Sequence, residues 1–204
     1  MTKEKIAFVV ARYGLNINGG AEYHCRMLAE RLANDYDVDV LTTCVENYRT
    51  GGNIEMKEEE TINHVYVKRF KADPIHPELE ERYKKEAKPA YKLRKFLYKC
   101  YLLAPISFFC PIWHYKEKEE LKMLNSQVFY SSTLFEYIKK NKDNYKAIIP
   151  ITLDYPHVYY TTLYAPEKTI IIPTMHYHKV AFRSILTSVF TKAAYIGFNT
   201  TAEQ

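Results

Sequence analysis

The run Lys5-Ile6-Ala7-Phe8-Val9-Val10-Ala11-Arg12-Tyr13-Gly14, continued by Asn18-Gly19-Gly20-Ala21-Glu22 and closed by Glu30-Arg31-Leu32-Ala33, decides the fold. Ile6 to Ala11 are apolar without a break, as in a strand covered on both faces of a parallel sheet. A loop with Gly14, Gly19 and Gly20 follows. Ala21, Cys25, Leu28 and Leu32 then recur at helical spacing, with Glu22, Arg26, Glu30 and Arg31 on the other face. Strand, glycine-rich turn and helix open a βαβ unit, and open α/β sheets bind ligands at the carboxyl ends of such strands. Paired glycines allow positive φ and close approach of a ligand to the backbone. A helix beginning near Gly20 offers free N–H groups and a positive dipole end to a phosphate or to sugar hydroxyls. Neither the Gly-x-Gly-x-x-Gly of a dinucleotide turn nor the Gly-Lys-Ser/Thr of a P-loop is present. A tight turn without a ligand therefore stays open as a reading.

Outward from that unit, strands and helices alternate. Asn34 to Asp37 turn into a second strand, Val38–Thr43, and the polar stretch 46–60 with Gly51-Gly52-Asn53 reads as a surface loop able to move over the crevice. Ile62 to Phe70 alternate as a half-exposed strand or hairpin. From Pro77 to about Lys140 the pattern is helical, with interruptions expected at Pro89, Pro105 and Pro111. A helix over Ser126–Lys140 carries Val128, Ser131, Leu134, Phe135 and Ile138 as its core stripe. Strands are expected at 147–151, 169–173 and 194–198, with helices around Tyr159–Leu163 and Val180–Thr191. The fold class is α/β: a Rossmann-like, mostly parallel sheet of six or seven strands flanked by helices, with a helical insertion over about 77–140.

Composition narrows the classes. The chain has 204 residues, 47% of them hydrophobic, enough for a substantial core in one large domain or two small ones. Its 29 basic and 24 acidic residues leave a net charge of +5, a bias too mild to imply nucleic acid. Cys25, Cys44, Cys100 and Cys110 lack Cys-x-x-Cys spacing, so free thiols in a reducing compartment are expected rather than disulfides or zinc. The amino-terminus runs directly into a strand without signal-peptide character, and no apolar run approaches the ~20 residues that span a bilayer. A cytoplasmic protein is expected.

The chain also resembles a family. Val9-Val10-Ala11-Arg12-Tyr13-Gly14, Gly19-Gly20-Ala21-Glu22, the strand Asp37–Cys44, Ile172-Pro173-Thr174-Met175-His176 and Phe198-Asn199-Thr200-Thr201-Ala202-Glu203 are similar, in order, to the amino-terminal half of GT-B glycosyltransferases of the retaining GT4 family. The resemblance implies one half of a GT-B fold: residues 1–204 as the acceptor-side domain, with a donor-binding domain beyond it. It implies transfer of a sugar from a nucleotide-diphosphate donor to a hydroxyl on a glycan, polysaccharide or lipid-linked acceptor, with retention and without metal or other cofactor. His176 would contact the transferred sugar, although Tyr177 stands where the family often has Asp. Gly19 and Gly20 would approach the donor or acceptor, and Arg12, Tyr13, Thr152, Asp154 and Thr200, at expected strand ends, would line the cleft. Thr200-Thr201-Ala202-Glu203 also fits a capping box that starts a helix. This chain alone is expected to be inactive without its donor half in cis.

Two further patterns carry chemistry. Arg82, Lys84, Lys85, Lys88, Lys92, Arg94, Lys95 and Lys99 stand beside one acid, Glu86, interleaved with Tyr and Phe and followed by Ile106-Ser107-Phe108-Phe109. Lys92, Arg94, Lys95 and Lys99 on such a helix would face an anionic membrane, placing the protein peripherally on its inner face. A solvated helix whose aromatics pack on the core, and a nucleic-acid surface, are the competing readings; no nucleic-acid partner is expected. His176 and His178 could share one side of a strand and bind a metal, but no third ligand is evident, so no metal is expected. A non-catalytic nucleotide- or phosphate-binding module and a membrane-docking module remain alternatives to the enzyme.

Overall fold

A computed structural model describes residues 3–174 and 179–200. Five strands form one sheet in the order β3-β4-β2-β1-β5, where β1 is Lys5–Val9, β2 Asp37–Thr43, β3 Glu59–Ile62, β4 Val65–Phe70 and β5 Ala147–Pro150. All neighbours are parallel except the hairpin β3–β4. Its two-residue turn, Asn63-His64, has both residues at positive φ, 47° and 68°, the twist that a tight hairpin requires.

The five-stranded count corrects the expected six or seven. The last two strands, β6 (Ile170–Ile171) and β7 (Tyr195–Ile196), pair with each other in a separate ladder. Among the described residues the pairing between β5 and β6 is limited to isolated parallel bridges at their ends, Ile148 to Thr169 and Ile151 to Ile172. Pro150, the last residue of β5, lies between the bridged Ile148 and Ile151 and has no N–H to give, so no continuous ladder forms there.

Alternation along β1 divides the core into two layers. Ile6, Phe8 and Val10 join Val38, Val40, Val65 and Val67 under helix α1 (Gly20–Leu32), which contributes Cys25 and Ala29. Ala7 and Val9 face the other way, with Leu41 and Ile148, against Leu134, Phe135 and Ile138 of α5 (Ser132–Asn141). The expected helix from Ser126 begins six residues later, because Ser131 is its N-cap and accepts a hydrogen bond from the Leu134 amide at 3.3 Å.

The remaining helices precede α5 or follow β5. α2 (Pro77–Lys99) runs unbroken through Pro89, contrary to the expected interruption. Its buried face, Ala87, Ala90, Arg94 and Leu97, packs on α4 (Glu117–Asn125), and that packing outweighs the lost backbone hydrogen bond. Pro105 sits in the first turn of α3 (Leu103–Phe109), where no N–H is needed, and Pro111 follows its end. α6 (Pro156–Tyr164) and α7 (Ser184–Lys192) pack together, burying Val158, Leu186 and Val189 with Leu153 and Ile171. All four cysteines are free thiols, Cys25 and Cys44 buried, Cys100 and Cys110 exposed. Among the described residues, no helix is long and apolar enough to cross a membrane.

Candidate functional site

The connection from β1 through α1 moves to β2, while that from β5 through α6 moves away to β6. The carboxyl ends of β1 and β5 are therefore the point where the strand order reverses, and connections leaving in opposite directions open a crevice.

Arg12 follows β1 at this point and is held on three sides. Its Nε and Nη2 donate to Oε1 of Glu22 at 3.0 and 2.6 Å, its Nη1 donates to the Glu46 carbonyl at 2.9 Å, and its guanidinium lies 5.7 Å from the Tyr48 ring centre. Glu22 stands in the first turn of α1, where a negative charge suits the helix dipole. The loop after β2 is tied over this end of the sheet: the Asn53 amide donates to the Ala72 carbonyl and accepts from the Ala72 N–H, at 2.8 and 2.7 Å.

The two glycines act differently from the expectation. Gly19 has φ 176°, extended backbone open to any residue, and the positive-φ glycines are Gly51 and Gly52. What Gly19 provides is room, because a Cβ there would lie 2.1 Å from Glu22 Oε2. Gly20 has no atom within 4 Å of the place a Cβ would take, so the first turn of α1 is open on that side.

At the end of β5, Thr152 has φ 77°, and at the end of β6, Thr174 has φ 46°. Both are β-branched residues in the left-handed region, a strained state that persists only where surrounding structure imposes it. Among the described residues the buried Oγ1 of Thr174 has no hydrogen-bond partner. The turn at Thr152 is fixed from below by His157, whose Nε2–H donates to the Ile151 carbonyl at 2.7 Å. His157 is fully buried, and burial pushes its pKa down to about 4, so the ring is neutral at pH 7. Sequence reasoning missed it; its only signal was a polar residue on the inward face of α6. Tyr155 packs edge-on against Phe129 with ring centres 4.8 Å apart. Burial first, then the charges of Glu22 and Asp154, raise its pKa, and Arg12 opposes them.

The structure thus gathers Arg12, Gly19, Gly20, Thr152 and Asp154 around the ends of β1 and β5. It does not bring Tyr13 there: that side chain is buried in the layer with Phe8, Val10 and Cys25, and its hydroxyl has no partner among the described residues. The alternation that sends Arg12 to the crevice sends its neighbour inward. Thr200 is exposed beyond β7, on the far side of β6 from β5. His176, its neighbour His178 and the Thr201–Glu203 part of the capping pattern lie outside the described residues.

Of the cations assigned to a membrane face, Lys92 and Lys99 are exposed and Lys95 is half-buried. Arg94 is a correction. It is wholly buried, donating from Nη1 to Glu120 Oε1 at 2.8 Å and to the Phe182 carbonyl at 2.7 Å, and from Nη2 to the Tyr115 carbonyl at 2.6 Å. Trp113 covers the guanidinium at 5.2 Å. A charge so fully engaged holds α2, α4 and α7 together and meets no solvent. Among the described residues no three His, Cys, Asp or Glu side chains gather as a metal site would require. No protein-family model and no curated protein matches the chain.

Proposed function

We propose that the chain is the acceptor-side half of a retaining glycosyltransferase, moving a sugar from a nucleotide diphosphate to a hydroxyl of a glycan or lipid-linked acceptor. The observation that carries this reading is the crevice at the reversal of strand order, with Arg12 and the open glycine turn on one side and strained Thr152 and Thr174 on the other. Thr174 stands two residues before His176, so the strained strand end leads directly to the histidine that the resemblance aligns with the sugar. In this reading Glu22 occupies the helix end that a donor phosphate would approach, and Arg12 exchanges the carboxylate for the phosphate. Donor contacts of the other half lie in a domain beyond this chain. No cofactor or metal takes part.

The test is His176→Ala in the polypeptide encoded by the native gene. Turnover of nucleotide-diphosphate sugar is expected to fall on the order of a hundredfold, with the far-ultraviolet spectrum and melting temperature unchanged. Undiminished turnover would remove His176 from the reaction.

A membrane contact on the cytoplasmic face belongs to the same proposal. α3 buries none of its residues, and Phe108 and Phe109 are 84% and 82% exposed beside Tyr101 at 92%. With Lys92 and Lys99 exposed on the end of α2 that leads to them, this apolar tip suits an anionic bilayer. Lys92→Glu/Lys99→Glu is expected to abolish co-sedimentation with phosphatidylglycerol vesicles; retained binding would leave α3 as a solvated turn.

A further inference from the structure

A pocket of about 250 Å³ lies between α2 and the start of α7, lined by Lys84, Lys85, Lys88, Tyr91 and Arg183, with Glu81 at one side. Lys84 is paired with Glu80 at 2.6 Å and Lys85 lies 4.0 Å from Glu81, while Lys88 has no ion pair among the described residues.

Arg183, the N-cap residue of α7, is only 8% exposed. Among the described residues its guanidinium has no ion pair and donates no hydrogen bond. Burial works against its charge, and Asp154, Glu120 and Tyr91 act on it only through space. Nor is Glu120 available as a partner. Its Oε1 accepts from Arg94, and its Oε2 accepts from the Ser184 and Ile185 amides at 2.6 and 3.4 Å. Among the described residues, then, Asp154 and Glu120 reach Arg183 only through space, while Arg94 holds Glu120 directly. A buried guanidinium that no carboxylate contacts directly is costly to keep charged and favours an anion that can reach it.

We propose that this pocket binds a phosphate group, with the buried Arg183 guanidinium as its anchor and Lys88 and Lys84 at its mouth. Guanidinium and phosphate match in charge and in paired donor and acceptor geometry, and Tyr91 offers a hydroxyl or a ring face to whatever the phosphate is attached to. The pocket's lining shares no residue with the crevice, although Asp154 at the crevice acts on Arg183 through space, and the proposal does not depend on the glycosyl-transfer reading. The group comes either from a soluble phosphate ester or from a lipid headgroup, and the experiment distinguishes them.

Pyrophosphate is titrated calorimetrically into the full chain, and the chain is sedimented with phosphatidylcholine vesicles with and without phosphatidic acid. Wild type, Arg183→Met, Lys88→Gln and the Lys92→Glu/Lys99→Glu pair are compared. Wild type is expected to bind at least one probe, with affinity falling on the order of tenfold in Arg183→Met and a few-fold in Lys88→Gln. The Lys92/Lys99 variant is expected to bind pyrophosphate as wild type does. Binding of pyrophosphate points to a soluble ester; binding only of phosphatidic acid, kept in the Lys92→Glu/Lys99→Glu variant and weakened in Lys88→Gln, points to a headgroup in this pocket. Lys88 is exposed, so Lys88→Gln decides the matter even where Arg183→Met fails to fold. Binding unchanged in the variants that fold, or no binding of either probe to wild type, overturns the proposal.

Discussion

Arg94→Met lowers the unfolding free energy by about 3–5 kcal/mol. The methionine fills much of the arginine's volume, so a cavity accounts for little of the loss. The loss comes from what remains behind. Glu120 keeps its two backbone donors but loses its countercharge in a place where it is 0% exposed. The carbonyls of Ile112, Tyr115 and Phe182 and the Ser184 hydroxyl lose a shared donor together. Burial already raises the Glu120 pKa against the pull of Arg94, so removing Arg94 leaves the carboxyl to take up a proton at higher pH. Replacing both partners, Arg94→Met with Glu120→Leu, recovers most of the stability, because a buried ion pair is worth little more than well-packed apolar groups. Urea unfolding of wild type and the two variants measures this. A loss under about 1 kcal/mol in Arg94→Met would mean that the pair does not hold α2 and α4 together.

Acid weakens the fold through His157. Its folded pKa is about 4, against 6.5 for the free side chain. Between those two values the unfolded chain takes up a proton that the folded chain refuses, so stability falls as pH drops. The loss begins near 6.5 and is complete below about 4, and it amounts to on the order of 3 kcal/mol. Asp39 and Glu120, whose pKa values burial raises, act with the opposite sign over part of the same range. His157→Gln isolates the histidine: its amide can still donate to the Ile151 carbonyl, and it does not titrate. The variant's stability is expected to depend on pH less steeply by about that amount. Parallel curves for the two proteins would mean that the ring is protonated or solvated in the folded state.

Much of the sheet was legible in the residues. Residues 6–11 read as a doubly covered strand because no position in the run is polar, and a helix after the Gly19-Gly20 turn followed because the unbroken apolar run gives way there to a 3.6 period; the strand itself ends at Val9. Asn63-His64 was less plain, since alternation across 62–70 fits one strand or the tip of a hairpin equally. The strand count failed because apolarity marks a strand but not whether its edge can be paired, and Pro150 interrupts an edge.

The insertion was harder, for one reason. A charged residue amid lysines reads as surface, and only its partners reveal otherwise. Arg94 meets Glu120 26 residues on and Ser184 90 residues on. The single local hint was Glu120 itself, which shares a helix face with Met123 and Leu124, both buried. At the crevice, spacing placed Arg12, Thr152 and Asp154 at strand ends but misplaced Tyr13, because one residue past β1 separates the crevice from the core. Strain at Thr152 and Thr174 leaves no mark in composition at all.

The most direct measurement is release of nucleoside diphosphate by the polypeptide encoded by the native gene, with a panel of nucleotide-diphosphate sugars and hydroxyl acceptors. A glycosyltransferase built on this crevice releases the diphosphate only when acceptor is present and forms a glycosidic bond of the donor's anomeric configuration. It loses that release on the order of a hundredfold in His176→Ala. If no sugar nucleotide is consumed while residues 1–204 alone bind nucleotide tightly, the crevice is a binding site without transfer chemistry and the enzyme reading is wrong.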